Sequence, residues 1–213
     1  MSTKYIIKAK LLLSTLCLIF LLSSCGGGGD NGEDPILPTT KTQEDSLALI
    51  QINTGSISWN HSSPIDKWEG VRVSVVGGER RVSYLDLHNS GMTGDISGIL
   101  NKLTSLEYLD LSQNNLTGNI PNMSALVNLQ IIDLHDNKLS GILNNALSGL
   151  NNLTYLSLGN NSFYSEMPAS ISSMTKLVVL DLSDQKKSTS SQGFSGNIPQ
   201  TWNSLSKLEY VYL

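Results

Sequence analysis

Cysteine is nearly absent from this 213-residue chain, which has only Cys17 and Cys25. Cys17 lies in an apolar leader that is removed, so Cys25 is the single cysteine of the mature protein and an intrachain disulfide is excluded. Basic charge is also scarce. The leader takes Lys4, Lys8 and Lys10 with it, leaving 11 basic residues against 18 acidic and a mature charge of about −7. No Lys/Arg-rich run occurs, and phosphate binding needs a basic stripe that releases counterions, so nucleic acid is excluded as a partner. Catalytic signatures are missing too. There is no HExxH, GxSxG, P-loop or GxGxxG, and no Cys–His pairing in the mature chain, so no catalytic residue and no cofactor is assigned.

Long hydrophobic runs are lacking as well. The longest, Leu11 to Leu22, follows a basic start and is too short for a bilayer core that needs about 20 residues. It reads as the core of a signal peptide over residues 1–24. Leu22-Ser23-Ser24-Cys25-Gly26 resembles the lipobox of bacterial lipoproteins, in which the leader is cut before a cysteine that carries diacylglycerol. That resemblance implies lipidation at Cys25 and a membrane anchor, since each buried methylene contributes about 0.8 kcal/mol and more than one acyl chain makes the anchor durable. Residues 25–43 are Gly-rich, then Pro-containing, without hydrophobic periodicity, and read as a tether. A Gly- and acid-rich stretch after the lipid cysteine resembles the surface-export signal of some Gram-negative lipoproteins. The expected location is the cell envelope, at the outer membrane or cell surface of a Gram-negative bacterium.

Leu, Asn, Ser and Gly dominate the remainder, a mixture suited to short strands and tight turns, and a repeat organises them. Leu106, Leu109, Leu111, Asn114, Leu116, Gly118, Ile120 and Pro121 fit LxxLxLxxNxLxGxIP. The frame recurs from Val82, Leu129, Leu153, Leu177 and Leu208, with start-to-start spacings of 24, 23, 24, 24 and 31 residues. Residues 82–213 thus hold five full copies and the start of a sixth. The fourth and sixth places of each copy face one way on a short strand, so stacked copies form one apolar column that a single copy could not bury. The Asn places are positioned to bond backbone groups of neighbouring turns. The copy from Leu129 departs from the pattern, with Leu143 and Asn144 in the Ile-Pro places, and a looser convex side is expected there.

This pattern resembles the leucine-rich repeat family in its plant-type subclass, carried by Leu116-Thr117-Gly118-Asn119-Ile120-Pro121 and Phe194-Ser195-Gly196-Asn197-Ile198-Pro199. The resemblance implies an α/β solenoid, a right-handed superhelix with a parallel sheet on its concave face. Residues 44–81 resemble the N-terminal cap of such proteins: Ser46 to Ile50 as a short helix, then Trp59 and Trp68-Glu69-Gly70-Val71. Secreted plant members have a cysteine pair there. With Val73 in the second cysteine place, the cap is expected to rest on packing of Trp59, Trp68 and Val71 alone.

Between the inward leucines, alternate side chains point out of the concave sheet in columns. The third place reads Tyr84, Tyr108, Ile131, Tyr155, Val179 and Tyr210. The fifth reads Asp86, Asp110, Asp133, Ser157, Asp181 and Tyr212, and the seventh begins His88, Ser112, His135. Much of this is ordinary consensus for the family, whereas His88, His135, Asp136 and Tyr212 are not demanded by it. Tyr beside Asp suits a sugar or a basic peptide, because rigid aromatics give contact area at low entropy cost and carboxylates accept hydrogen bonds. The candidate ligand-binding residues are therefore Tyr84, Asp86, His88, Tyr108, Asp110, Asp133, His135, Tyr155, Asp181 and Tyr210. No metal is expected: His88 and His135 stand two copies apart, roughly 10 Å at strand spacing, too far to share one ion. A seven-residue excess over residues 183–193 marks an insertion, which in solenoids maps to a loop.

The function expected from the sequence is a non-catalytic lipoprotein that binds a protein, peptide or glycan through the concave face. The alternative is a targeting or recognition module of a larger enzyme or adhesin truncated at residue 213, because Tyr210-Val211-Tyr212-Leu213 stops inside a strand.

Overall fold

The computed structural model of the protein describes residues 40–52, 55–143, 145–186 and 193–213. The expected signal peptide, Cys25 and the expected tether up to residue 39 lie outside the described residues. Among the described residues no helix is long and apolar enough to cross a membrane.

The cap begins with helix α1 (Lys41–Ile50). Thr40 is its N-cap in a reciprocal capping box, where the Thr40 hydroxyl accepts from the Gln43 N–H and the Gln43 side chain accepts from the Thr40 N–H. The helix thus starts three residues before the expected boundary at Glu44, and residues 40–43 belong to the cap rather than the tether. A 3₁₀ turn at Ile65–Lys67 leads into strands β1 (Val71–Val76) and β2 (Glu79–Asp86), an antiparallel hairpin. Its two-residue turn, Gly77-Gly78, has φ of +61° and +85°, the conformation that matches the twist of the flanking strands.

Aromatic packing is only part of what holds the cap. Trp59 and Trp68 stack with centroids 4.9 Å apart, and Trp68 and Val71 are buried. Beside them Asp45, fully buried, receives Arg81 Nε and Nη2 at 2.9 Å each and the Val82 N–H at 2.8 Å. This fork-on-fork ion pair ties α1 to β2 and corrects the expectation of a cap resting on apolar packing alone. Gly70 closes the joint from the other side. Its φ is +77°, its carbonyl accepts from the Asp86 N–H, and a Cβ there would lie 2.0 Å from the Asp86 carbonyl oxygen.

From β2 onward the chain is a parallel solenoid. Strands β4 (Tyr108–Asp110), β6 (Ile131–Asp133), β8 (Tyr155–Ser157), β11 (Val179–Asp181) and β13 (Tyr210–Tyr212) continue a seven-stranded sheet of order β1-β2-β4-β6-β8-β11-β13. All joins after β1–β2 are parallel and in the predicted register, Leu85 to Leu109 to Ile132 to Leu156 to Leu180 to Val211. Those inward residues up to Leu180 have no exposed surface, and each contributes about 1.5–3 kcal/mol by leaving water.

A second sheet lies where each copy reads NxLxG. It pairs β3 (Thr93–Asp95), β5 (Asn115–Asn119), β7 (Lys138–Gly141) and β9 (Ser162–Phe163), followed by a pair formed by β10 (Ser165–Glu166) and β12 (Phe194–Ser195). At two copies the Gly of LxG also makes room for the stacking, whereas Ser165 fills the same place at φ +100° in the copy from Leu153. Gly118 has φ +85°, and a Cβ on it would sit 2.7 Å from the Asp95 carboxyl carbon of the preceding copy; Gly141 stands in the same relation to Asn119. The copies close with 3₁₀ turns at Leu100–Lys102, Ala169–Ser173 and Gln200–Ser204, and α1 is the single α-helix among the described residues. In the copy from Leu129, Leu143 is buried in the Ile place, while Asn144 lies outside the described residues.

Asparagines satisfy the backbone between the sheets. Asn137 Nδ2 donates to the carbonyls of Leu111, Leu134 and His135, and its Oδ1 accepts from the Leu116 N–H. Asn114 and Asn161 repeat the arrangement. In the next copy Gln185 takes the role, bonding the carbonyls of Leu158, Leu182 and Ser183 and the Phe163 N–H. The repeat is therefore regular through Lys186, whose N–H reaches the Asn161 carbonyl, and the seven extra residues fall between Lys186 and Phe194.

Candidate functional site

The outward face of the seven-stranded sheet brings the predicted columns together strand by strand. Tyr84, Tyr108, Ile131, Tyr155, Val179 and Tyr210 are register partners, as are Asp86, Asp110, Asp133, Ser157, Asp181 and Tyr212. The aromatic column is not one continuous row. Tyr84 and Tyr108 stack face to face, centroids 4.2 Å apart and 13° between planes, and the Arg72 guanidinium covers the other face of the pair at 4.3 Å from the Tyr84 centroid. Ile131 separates this stack from Tyr155, and Val179 separates Tyr155 from Tyr210, which is half exposed on the last strand.

Each aspartate does local work that the sequence pattern conceals. Asp110 Oδ1 accepts the Ser112 N–H at 2.9 Å and the Ser112 hydroxyl at 2.6 Å; Asp181 does the same with Ser183 at 2.9 and 2.7 Å. Asp86 and Asp133 form the equivalent turns with His88 and His135, whose Nδ1 atoms lie 2.6 Å from the carboxylate oxygens. The two histidines, singled out as departures from the repeat, thus occupy a donor place that serine fills in other copies. The following place has left-handed backbone in every copy, at Asn89, Gln113, Asp136, Asn160 and Asp184. The chain leaves the sheet there, and Asp136 is held by the Asn160 side-chain amide and stands 3.7 Å from His135 Nε2.

Ionisation follows from these contacts. The Asp86 hydrogen bond raises the His88 pKa above its ordinary value, helped by the charges of Asp86 and Asp110. Burial pushes Asp86 upward, but the His88 and Tyr84 hydrogen bonds outweigh it and hold the carboxyl below its ordinary range. Tyr84, Tyr108 and Tyr155 are all raised, chiefly by burial and then by the neighbouring aspartates, so their hydroxyls stay neutral donors. Tyr84 donates to Asp86 Oδ2 at 3.1 Å, and Tyr155 reaches Asp133 Oδ2 at 3.4 Å. No lysine or arginine pairs with Asp86, Asp110, Asp133 or Asp181 among the described residues.

No metal is expected from His88 and His135, two copies apart, but a different set of neighbours lies closer together. Asp86, His88 and Asp110 offer ligand atoms within 4.8 Å of one another. His88 Nδ1 is engaged with Asp86 Oδ1 at 2.6 Å, and exposed acidic groups in such a cluster do not by themselves make a metal site. Arg72, the Asp45–Arg81 pair and Gln185 escaped sequence reasoning. Only Gln185 carried a readable signal, since it stands three places after Leu182 as Asn161 does after Leu158.

Fold and register define a class, a parallel β-solenoid that presents columns of side chains on one sheet face. The repeats are leucine-rich repeats: the leucine-rich repeat family model matches residues 105–125, 128–150 and 152–174. An inactive leucine-rich repeat receptor-like serine/threonine-protein kinase of Arabidopsis thaliana is 36% identical over 99 residues, 45% of this chain and 15% of the kinase. Among solved structures, the ectodomain of the Arabidopsis thaliana receptor kinase GASSHO1/SCHENGEN3, in complex with Casparian strip integrity factor 2, is 34% identical with a TM-score of 0.54. That match covers 60% of this chain and 15% of that one. A plant ice-binding protein is 26% identical with a TM-score of 0.69, over 80% of this chain and 55% of that one. This chain therefore spans a small fraction of the receptor kinases it matches, and it folds as a leucine-rich-repeat solenoid resembling their ligand-binding ectodomains.

Proposed function

We propose that this protein is a non-catalytic cell-envelope lipoprotein that binds a protein, peptide or glycan partner through the concave face of its solenoid. The observation that carries the reading is the register of that face. Six parallel strands set tyrosine, aspartate and histidine side chains side by side on a rigid scaffold, with the hydroxyls of Tyr84, Tyr108 and Tyr155 kept neutral. The receptor ectodomain crystallised with its protein factor supports a polypeptide partner. Membrane attachment rests on the sequence of residues 1–25, where the apolar leader ends at the lipobox-like Leu22-Ser23-Ser24-Cys25.

Two measurements test the two halves. Replacing Tyr108 and Tyr155 with alanine abolishes partner binding while the far-ultraviolet circular dichroism is unchanged; unchanged affinity in a folded double variant refutes the concave assignment. Labelled palmitate enters the protein in a bacterial envelope and does not enter Cys25→Ala; equal labelling of both removes the lipid anchor.

A further inference from the structure

Carboxylates outnumber cations on the outward face of the main sheet, where Arg72 stands at the β1 edge over Tyr84. Asp86, Asp110 and Asp133 are adjacent in register on β2, β4 and β6, about 4.8 Å apart by strand spacing, with Asp181 two strands on. Like charges directly opposite one another on neighbouring strands repel, which makes such a column costly when nothing neutralises it. The relief within the chain is partial: turn N–H groups, serine hydroxyls and histidine Nδ1 atoms donate to the Oδ1 atoms, and no lysine or arginine does so among the described residues. A carboxylate has about four lone-pair positions, so these donors leave acceptor capacity. The bordering aromatic stack already holds a guanidinium, since Arg72 lies over Tyr84 and Tyr84 over Tyr108.

We infer that the occupant of this face is an extended polypeptide segment bearing arginine or lysine side chains, which set their charges against Asp86, Asp110 and Asp133 beside the Tyr84–Tyr108 stack. This rests on the concave-face reading and narrows it to one charge class of partner. Extended chains advance about 3.3 Å per residue. Alternate side chains of such a segment are about 6.6 Å apart against an aspartate spacing of about 4.8 Å, so two or three long cationic side chains span the roughly 10 Å from Asp86 to Asp133 without a fixed one-to-one register.

His88 makes the contact pH-dependent. The charged groups that act on it are Asp86, two residues before it at the end of β2, and Asp110 on β4. When His88 is protonated, a positive charge stands between two of the carboxylates the partner uses, and the cationic segment is repelled. Its pKa is raised by those carboxylates, so the loss sets in above the usual histidine range as pH falls.

The test uses three probes on the folded protein: a fluorescent nonapeptide of alternating Arg and Gly, its Glu-for-Arg counterpart, and a neutral heptasaccharide. The arginine peptide binds, with affinity falling as salt rises, and the other two do not. Asp110→Asn with Asp133→Asn keeps an Oδ1 acceptor for each turn and weakens binding roughly tenfold. Asp95→Asn with Glu166→Gln, an equal change of net charge on the second-sheet side, stays within about twofold. Taking the pH from 8 to 5.5 weakens the wild type by roughly threefold, and His88→Gln removes most of that drop. Equal loss in the two double variants shows bulk attraction and overturns the inference, as does failure of the arginine peptide to bind below millimolar concentration. Preferential binding of the acidic or neutral probe, lost in Tyr108→Ala, overturns the cationic partner while leaving the concave face as the binding surface.

Discussion

Replacing Asp45 with alanine strands the Arg81 guanidinium in the cap. Asp45 is completely buried, its two oxygens take three donors at 2.8–2.9 Å, and Arg81 has only 5% of its surface exposed. After the substitution Arg81 keeps Thr104 Oγ1 at 3.2 Å as a side-chain acceptor, and the Val82 N–H loses its partner. Breaking a buried pair from one side costs about 3–5 kcal/mol, because the remaining charge has neither water nor a counterion. For a folded region of this size that corresponds to a fall of about 10 °C or more in Tm. The double variant Asp45→Asn with Arg81→Met keeps an acceptor for Val82, removes both charges and recovers at least half of the loss. Urea unfolding followed by circular dichroism, with hydrogen exchange on α1 and β2 to detect separate opening of the cap, measures both. A loss below about 1 kcal/mol for Asp45→Ala, or a double variant no better than the single, refutes the claim that this pair holds the cap.

Further outcomes follow from the same contacts. Asn137→Ala removes three donations and one acceptance in the core and lowers stability by about 2–4 kcal/mol in urea unfolding, whereas Gln185→Asn, which restores the residue used in the three preceding copies, changes it by less than about 1 kcal/mol. Gly118→Ala forces a Cβ into the Asp95 carboxyl at a left-handed φ and costs at least about 1 kcal/mol by the same assay. The proton resonances of His88 titrate above the ordinary value of about 6.5. Because the folded value is the raised one, the pair's contribution to stability is complete below that ordinary value and is lost as pH rises through the folded one. It is small, since the imidazole is 58% exposed.

The main sheet was legible because its period is strict. Leucines at the fourth and sixth places and asparagine at the ninth fix which side chains turn inward, and from these the outward columns follow down to single register pairs such as Tyr84 with Tyr108. The second sheet was not legible. Its strands are two to five residues long and polar or Gly apart from Leu116, Leu139 and Phe163, too short to show the repeated alternation that marks a half-buried strand. The Asp45–Arg81 pair joins residues 36 apart in sequence, and nothing local marks either as buried. The histidines misled in a different way. His88 and His135 stand out from the repeat in sequence, yet their Nδ1 atoms take the place of the serine hydroxyls of Ser112 and Ser183 in the turns that follow Asp86 and Asp133. The start of α1 was hidden because Thr40 and Gln43 sit in a polar stretch that reads as tether until the capping box is recognised.

The most direct test of the concave face as the binding surface is amide chemical-shift mapping of the isotope-labelled solenoid during titration with the arginine nonapeptide and, separately, the neutral heptasaccharide. The account predicts that residues 84–88, 108–112, 131–135 and 155–157 shift together and saturably with one of them, while β3, β5, β7 and β9 stay in place. Shifts concentrated on that second sheet or on the 3₁₀ turns, with the main sheet unmoved, would contradict it.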